Sequence, residues 1–462
     1  MTENSSKFSR RTFLSSAAAT GAIGAIGAGS LLTSCSGGGS NENRFTPLRP
    51  MSEVYIPELP DKAIDGRPLR AALLGCGGRG TGAAFNFLDA GDNLSIIACA
   101  DGFQDRMDRC RNSLKERRNH EIPDENCYVG IDSYKKAIDT PGVDVVLVCS
   151  PGLFHPDHLQ YAIDKGKHVF CEKPAAVDAT GYRKYMVAVR QAQANNLCLV
   201  TGTHLRHHRG YVEAYKKIQE GYIGRIVSGN VYWCQGHAHY LRQRAEWTDI
   251  EYMLRSQFCW IWTSGCILVD QLIHNVDVFS WYSHLKPMWA IGTGSCQRRM
   301  NGDIYDVYSV DIVYEGGVHL HGIERQLDGC ENITGEYIQG TKGTLDNLNE
   351  NFTILDHNGD VIWKYDKEAA REQFKEHNPY LLEHVNFVNH IRQGKVINMG
   401  EGTATSTMAC IMGREAAFTG KIATWEQMVM SDQNFMPDDL TFRNVDMSKY
   451  TVPIQGIAPS VS

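Results

Sequence analysis

The sequence predicts an α/β protein whose first large domain is a doubly wound, mostly parallel sheet. Two observations carry this. Short apolar runs at Leu69–Leu74, 94–100, 143–150 and His168–Cys171 alternate with helical segments, and strands alternating with helices build parallel sheets. The first run also leads straight into Gly75-Cys76-Gly77-Gly78-Arg79-Gly80, a G-x-G-x-x-G turn between a strand and a helix over 81–88.

At 462 residues the chain exceeds one compact core, so two or three domains are expected. Hydrophobic residues at 42% and charged ones at 21% exclude a disordered or collagen-like chain. A net charge of −7 gives no electrostatic footprint for nucleic acid. Fourteen cysteines without a C-x-x-C pair exclude a disulfide scaffold and a zinc ribbon.

The first residues read as an address. Ser9-Arg10-Arg11-Thr12-Phe13-Leu14, followed by an Ala/Gly-rich apolar run to Leu32, resembles a twin-arginine export signal. The run is too rich in glycine for a comfortable membrane span. Leu32-Thr33-Ser34-Cys35 resembles a lipoprotein lipobox, in which the Cys35 thiol would be lipidated and become the new N-terminus. The alternative is an ordinary small-residue cleavage site with an incidental cysteine. The expected layout is a signal over 1–34, then a tether and lead-in over 35–66, with Ser36 to Asn43 flexible. The expected location is the periplasm, with membrane attachment by the lipid anchor only. Twin-arginine export carries proteins already folded, which allows a cofactor to be loaded first. Cys76, Cys99, Cys149 and Cys171 lie in strand-like runs and read as small core residues.

The glycines at 75, 77 and 80 permit a tight turn, backbone approach to a pyrophosphate, and close helix–strand packing. Gly78 and Arg79 complete that turn. The second run ends at Asp101, 21 residues beyond Gly80. A carboxylate there binds both ribose hydroxyls and repels a 2′-phosphate, so NAD is favoured; Arg106 nearby leaves NADP open. Ligands of such sheets bind outside the carboxyl ends of the strands. Ser150-Pro151 and Glu172-Lys173-Pro174 therefore face the nucleotide edge.

If 268–281 is helical, Asp270 and His274 share one face, with Asp277 a turn further on. Oxidising an alcohol by hydride loss requires a base for the hydroxyl proton, and histidine titrates nearest neutrality. Lys173 is placed to hold the substrate oxygen. From Val231 to Trp262 the chain carries Tyr232, Trp233, His237, His239, Tyr240, Trp247, Tyr252, Arg255, Trp260 and Trp262. That density suggests a sugar pocket, with Trp233, Trp260 and Trp262 stacking on pyranose faces. The plainer reading is that Trp260 and Trp262 are core or interface residues. His204 and Arg206, beside His207 and His208, are further substrate candidates. His237-x-His239 with that cluster could be drawn as a zinc site, but no Cys or carboxylate spacing supports it, and no metal is expected.

Together Gly75-x-Gly77-x-x-Gly80, Ser150-Pro151-x-x-x-His155, Gly166-Lys167-His168-Val169, Glu172-Lys173-Pro174, Gly224-Arg225-Ile226, Asp270-x-x-x-His274-x-x-Asp277 and Gly340-Thr341-Lys342-Gly343-Thr344-Leu345 resemble the glucose-fructose oxidoreductase / inositol dehydrogenase / rhizopine catabolism (Gfo/Idh/MocA) family over roughly residues 67–425. The resemblance implies a Rossmann NAD-binding domain at 67–203. It also implies a second α/β domain at 204–425 with a large open, mostly antiparallel sheet that often serves in homo-oligomers, and it leaves 426–462 as a tail. It implies cofactor contacts from Gly75, Gly77, Gly78, Arg79, Gly80, Asp101, Ser150, Pro151, His155, Glu172 and Lys173. Lys173 matches the family's active-site lysine, His274 its acid/base histidine, and Asp270 the carboxylate between them. Gln271-Leu272-Ile273 departs from the family, where many members have glycine before the histidine.

The expected function is an exported NAD(P)-dependent sugar or glycoside oxidoreductase. Its nucleotide would be tightly bound and recycled by a second keto-sugar or carbonyl acceptor, and C3 of a glycoside is one specific form. The alternatives are an NAD-dependent glycosidase cycling through oxidation, elimination, hydration and reduction, and a non-catalytic sugar-binding lipoprotein. The glycosidase branch of the family lacks the Glu-Lys-Pro lysine.

Overall fold

In the first sheet the central strands are buried along almost their whole length. β1 (Leu69–Leu74) exposes one residue, and β4 (Val145–Val148) exposes none, as strands covered by helices on both faces must be. β2 (Leu94–Asp101), β3 (Cys127–Val129), β5 (His168–Cys171) and β6 (Leu199–Thr201) complete a six-stranded sheet of order β3-β2-β1-β4-β5-β6. All its pairs are parallel. The order reverses between β1 and β4, which opens the crevice where such sheets bind ligands. The computed structural model describes residues 46–237 and 241–457. The twin-arginine segment, Cys35, the tether and His239 lie outside the described residues.

The second sheet has nine strands. β7 (Ile226–Gln235) lies between β11 (Ile333–Gly340) and β10 (Val318–Gln326), then come β9 (Val307–Tyr314), β8 (Pro287–Ser295) and β15 (Ala423–Thr424). Beyond β11 lie β12 (Gly343–Asp346), β13 (Thr353–Asp356) and β14 (Val361–Lys364). Only the β7–β10 pair is parallel. The architecture is thus a Rossmann sheet plus a mixed, mostly antiparallel sheet in a C-terminal domain, as expected.

The buried helix Gly400–Thr419 packs against β8 and β9. Its Arg414 is fully buried and ties three segments together, donating to the carbonyls of Val177 (2.7 Å) and Gly265 (2.9 Å) and to Gln433 (3.0 Å). The opposite face is less covered: Val227, Met288 and Ile291 are exposed.

Tertiary packing adds three things. Residues 379–399, expected within the second domain, pack on the first sheet. Leu381, Val385, Phe387, Val388, Ile391 and Ile397 share a core with β1 and Phe170, and the Leu199 N–H donates to the Ile397 carbonyl at 2.8 Å. The lead-in is anchored, because Asp61 accepts from the Lys375 and Glu376 N–H groups (each 3.0 Å) and from Arg209 (3.1 Å). The tail folds back, with the Phe435 N–H donating to Asp178 (2.7 Å) and Val445 N–H to Asp249 (3.0 Å).

Candidate active site

A cavity of about 970 Å³ runs along the carboxyl edge of the first sheet and reaches the second domain. Its nucleotide end is shaped by glycines with distinct tasks. Gly75 has φ +89°, and a Cβ there would lie 2.6 Å from the Cys149 carbonyl oxygen. A Cβ on Gly80 would lie 1.8 Å from the Gly75 carbonyl oxygen. These two hold the turn closed. Gly77 and Gly78 instead meet nothing within 4 Å and line the cavity where the helix Gly78–Asp89 begins. Free backbone N–H groups at a helix N-terminus, with open space before them, suit a pyrophosphate. Asp101 is buried, and its two oxygens accept from the N–H groups of Cys76 (2.6 Å) and Phe103 (2.8 Å). Burial raises its carboxyl above the usual range. Ser150 and Pro151 line the cavity beside it. These residues fit a nicotinamide dinucleotide.

Arg79 and Glu172 form the floor. The Arg79 guanidinium donates to the Glu172 carboxylate and, at 3.0 Å, to the fully buried Glu383, and lies 4.7 Å from the centre of the Tyr380 ring. Burial pushes the Glu383 carboxyl well up, against the pull of Arg79. The Lys173 N–H donates to Glu172 at 3.2 Å, and the Lys173–Pro174 peptide is cis.

At the far end Lys173, Asp270 and His274 converge. The Lys173 ammonium donates to the Asp270 carbonyl and, at 3.1 Å, to its carboxylate, with the two side chains 16% and 12% exposed. The expected continuous α-helix is instead a π-helical turn, Leu268–Leu272, running into an α-helix, Ile273–Ser283. The wider turn lets the Asp270 carbonyl as well as its carboxylate meet Lys173, and π-turns recur at functional sites. His274 lies parallel to Trp233 (5.5 Å) and edge-on to His204 (4.5 Å), and its Nδ1 has no partner among the described residues. Burial first, then the charges of His204, Lys173 and Arg79, hold its pKa well below the ordinary value. His274 is therefore a neutral imidazole able to accept a proton.

Other candidates do not reach the cavity. His155 is buried with its ring nitrogens 2.7 Å from the Pro174 and Ser150 carbonyls, so it braces the loop carrying Ser150. Arg206 forms a two-pronged pair with Asp277 (2.7 and 2.9 Å), which also accepts from Ser406 at 2.9 Å. His204 is buried between His274 and Tyr380, stacked on the latter at 4.2 Å, and backs the site. Trp260 donates to Ser256 (3.0 Å), Trp262 lies against Met253, and both sit in a core shared with Phe435, Met447 and Tyr450 of the tail. Of the three tryptophans only Trp233 lines the cavity.

Sequence reasoning missed Tyr380, Gln271, Phe103 and Phe258, all of which line the cavity. Gln271 was signalled only by its place between Asp270 and His274; it accepts from Gln235 (3.1 Å) and Gln326 (2.7 Å). Nothing local marks Tyr380, because its helix arrives from the far end of the chain. Arg255 also closes over the nucleotide end. It donates to Asp105 (2.9 Å) and Glu251 (2.8 Å), lies 4.0 Å from the Phe103 ring centre, and receives Arg106 on its own carbonyl (2.9 Å). Phe442 of the tail stacks on the same Phe103 ring at 5.4 Å.

Comparison with known proteins bears on the fold and on the Rossmann domain. Residues 69–201 match the Gfo/Idh/MocA profile, described as an oxidoreductase family with an NAD-binding Rossmann fold. A 1,5-anhydro-D-fructose reductase of Ensifer adhaerens is 26% identical over 215 residues, 46% of this chain and 60% of that protein. A myo-inositol 2-dehydrogenase of Thermotoga maritima is 24% identical over 340 residues, 71% and 89% of the two chains. A glycosyl hydrolase family 109 protein of Streptomyces coelicolor is 27% identical over 242 residues, 51% and 46%. The chain thus spans less than two thirds of the first and third of these relatives. The crystal structure of Lactobacillus casei scyllo-inositol dehydrogenase with NAD(H) and scyllo-inositol shares the fold, with TM-score 0.57 and 20% identity, covering 77% of this chain and 99% of that one. Residues 69–201 thus resemble the Gfo/Idh/MocA oxidoreductases of NAD-binding Rossmann fold, and inositol dehydrogenases are among the proteins similar to this chain.

Proposed function

We propose that this protein is an NAD-dependent oxidoreductase acting on a secondary hydroxyl of a sugar or glycoside. The observation that carries this is the meeting of Lys173, Asp270 and His274 in the cavity that also holds the glycine turn. Bound nicotinamide supplies the hydride acceptor and donor. Lys173, fixed by the Asp270 carbonyl and carboxylate, orients the substrate oxygen by hydrogen bonding. Neutral His274 takes the hydroxyl proton and returns it in the reverse direction. Trp233 offers an apolar face to the ring. Asp101 favours NAD over NADP, because a buried carboxylate at this strand end repels a 2′-phosphate.

The nucleotide is tightly held and recycled in place by a second keto-sugar or carbonyl substrate. Arg255 and the tail support this reading, because together they close over Phe103 at the cavity rim. So does the twin-arginine motif, since an exported enzyme meets no free nicotinamide pool. Periplasmic location, a lipid at Cys35 and assembly through the open face of the nine-stranded sheet complete the proposal. C3 of a glycoside is the working ring position, since a 3-keto group prepares the glycosidic bond for elimination.

The likeness to a family 109 glycosyl hydrolase supports a second reading, the redox-cycle glycosidase. Product mass spectrometry after incubation with simple glycosides and a keto-sugar acceptor separates them. A product two mass units lighter with its glycosidic bond intact is expected; free sugar and aglycone would replace the dehydrogenase by the glycosidase.

A further inference from the structure

Four cysteines, Cys76 of the nucleotide turn with Cys99, Cys110 and Cys127 beside it, gather together, and their thiols have no part in the proposed chemistry. Cys99 and Cys127 are directly paired residues of the adjacent parallel strands β2 and β3. Their sulfurs lie 3.6 Å apart. Neighbouring strands run about 4.8 Å apart, inside the Cα separation of roughly 4.4–6.8 Å that a disulfide spans. Cys99 is fully buried, whereas Cys127 is half-buried and donates to the Pro123 carbonyl at 3.3 Å. The Arg111 guanidinium, held by Asp124 and the Ile122 carbonyl (3.1 Å), faces both sulfurs. Hydrogen bonds from Cys127 and Cys76, then Arg111, hold the Cys99 thiol down, while the bond to Cys99 and burial push the Cys127 thiol up.

We propose that Cys99 and Cys127 form a dithiol that closes to a disulfide by exchange with a low-molecular-weight disulfide, stapling β3 to β2 under the cavity rim. The accessible Cys127 thiol gives up its proton as its sulfur attacks the small disulfide, forming a mixed disulfide and expelling one small thiolate. The Cys99 thiolate then attacks the Cys127 sulfur, forming the internal S–S bond and expelling the second. Two protein thiols are oxidised, one small disulfide is reduced to two thiols, and the two thiol protons pass to the departing thiolates. The staple matters because β3 is a three-residue edge strand. It leads at once into Gly130, whose N–H donates to the Asp101 carbonyl at 3.0 Å, and into the rim residues Ile131, Ser133 and Tyr134. The inference does not depend on the reaction proposed above.

The test treats the folded full-length protein with oxidised glutathione, quenches with N-ethylmaleimide, and maps peptides without reduction. The expected result is a crosslinked Cys99–Cys127 peptide and a protein two mass units lighter, reversed by dithiothreitol. The thermal midpoint should rise by about 5 °C, and the rise should vanish in Cys127→Ser, a half-buried position where folding is checked by circular dichroism. A stable glutathione adduct on Cys127 with Cys99 still alkylated after denaturation would overturn the proposal. So would a disulfide from Cys76 to Cys99 or Cys110.

Discussion

Replacing Lys173 with methionine keeps the stem of the side chain and removes only its charge and donors. In the folded protein that ammonium makes two hydrogen bonds, both to Asp270, one of them 3.1 Å from the carboxylate. The variant leaves a carboxylate 12% exposed without a cation, costing about 1–3 kcal/mol of stability. The larger effect falls on the reaction. Losing a positioned group of this kind removes about 10²–10⁴ in rate, or about 3–5 kcal/mol of barrier. The assay is single-turnover formation of reduced nicotinamide on protein already carrying its nucleotide, so that cofactor loss is not mistaken for lost chemistry. A second readout is the acid limb of the pH profile. In the wild type His274 stays neutral well below pH 6.5, so activity persists as pH falls through the ordinary histidine range. Lys173 is among the charges that depress His274, after burial and His204, so its removal moves the acid limb toward higher pH. A rate within tenfold of wild type, with bound nucleotide equal and the limb unmoved, would refute the assignment.

Other outcomes follow from the same geometry. Gly77→Ala should fold with an unchanged thermal midpoint, since its Cβ meets no protein atom within 4 Å, yet lose nucleotide when dialysed; Gly80→Ala, 1.8 Å from the Gly75 oxygen, should lose stability as well. Arg255→Ala should speed nucleotide release about 5–30-fold in a filtration assay, from one cation–π contact and one partly exposed ion pair across the rim; unchanged release would remove the clasp. Arg206→Ala should cost about 3–5 kcal/mol in denaturant unfolding, because it strands the buried Asp277. Its KM for sugar should stay constant, and a raised KM at unchanged stability would return Arg206 to the substrate.

Much of the site was legible because its parts are local. The glycine turn, Asp101 at the end of β2 and Glu172-Lys173-Pro174 after β5 each occupy a strand end, and in a doubly wound sheet every strand end points to the same crevice. Asp270 and His274 were readable as a helical pair, though the turn between them is π-helical, a detail that depends on packing against Lys173. His155, Arg206, Trp260 and Trp262 were misplaced for a shared reason. Residue type says that a side chain can bind a ligand, but its partner decides whether it is free to do so.

The sequence alone thus determined the doubly wound sheet, the glycine turn and the two segments that carry Lys173 and the Asp270–His274 pair, because each follows from strand periodicity and short-range spacing. Only the tertiary structure decided which candidates stay free. Asp277 takes Arg206, the tail buries Trp260 and Trp262, and a helix arriving from 379–393 sets Tyr380 and Glu383 beside Arg79. Those choices rest on contacts between residues tens to hundreds of positions apart, and in such contacts burial and charge pairing, rather than local pattern, fix where each side chain goes.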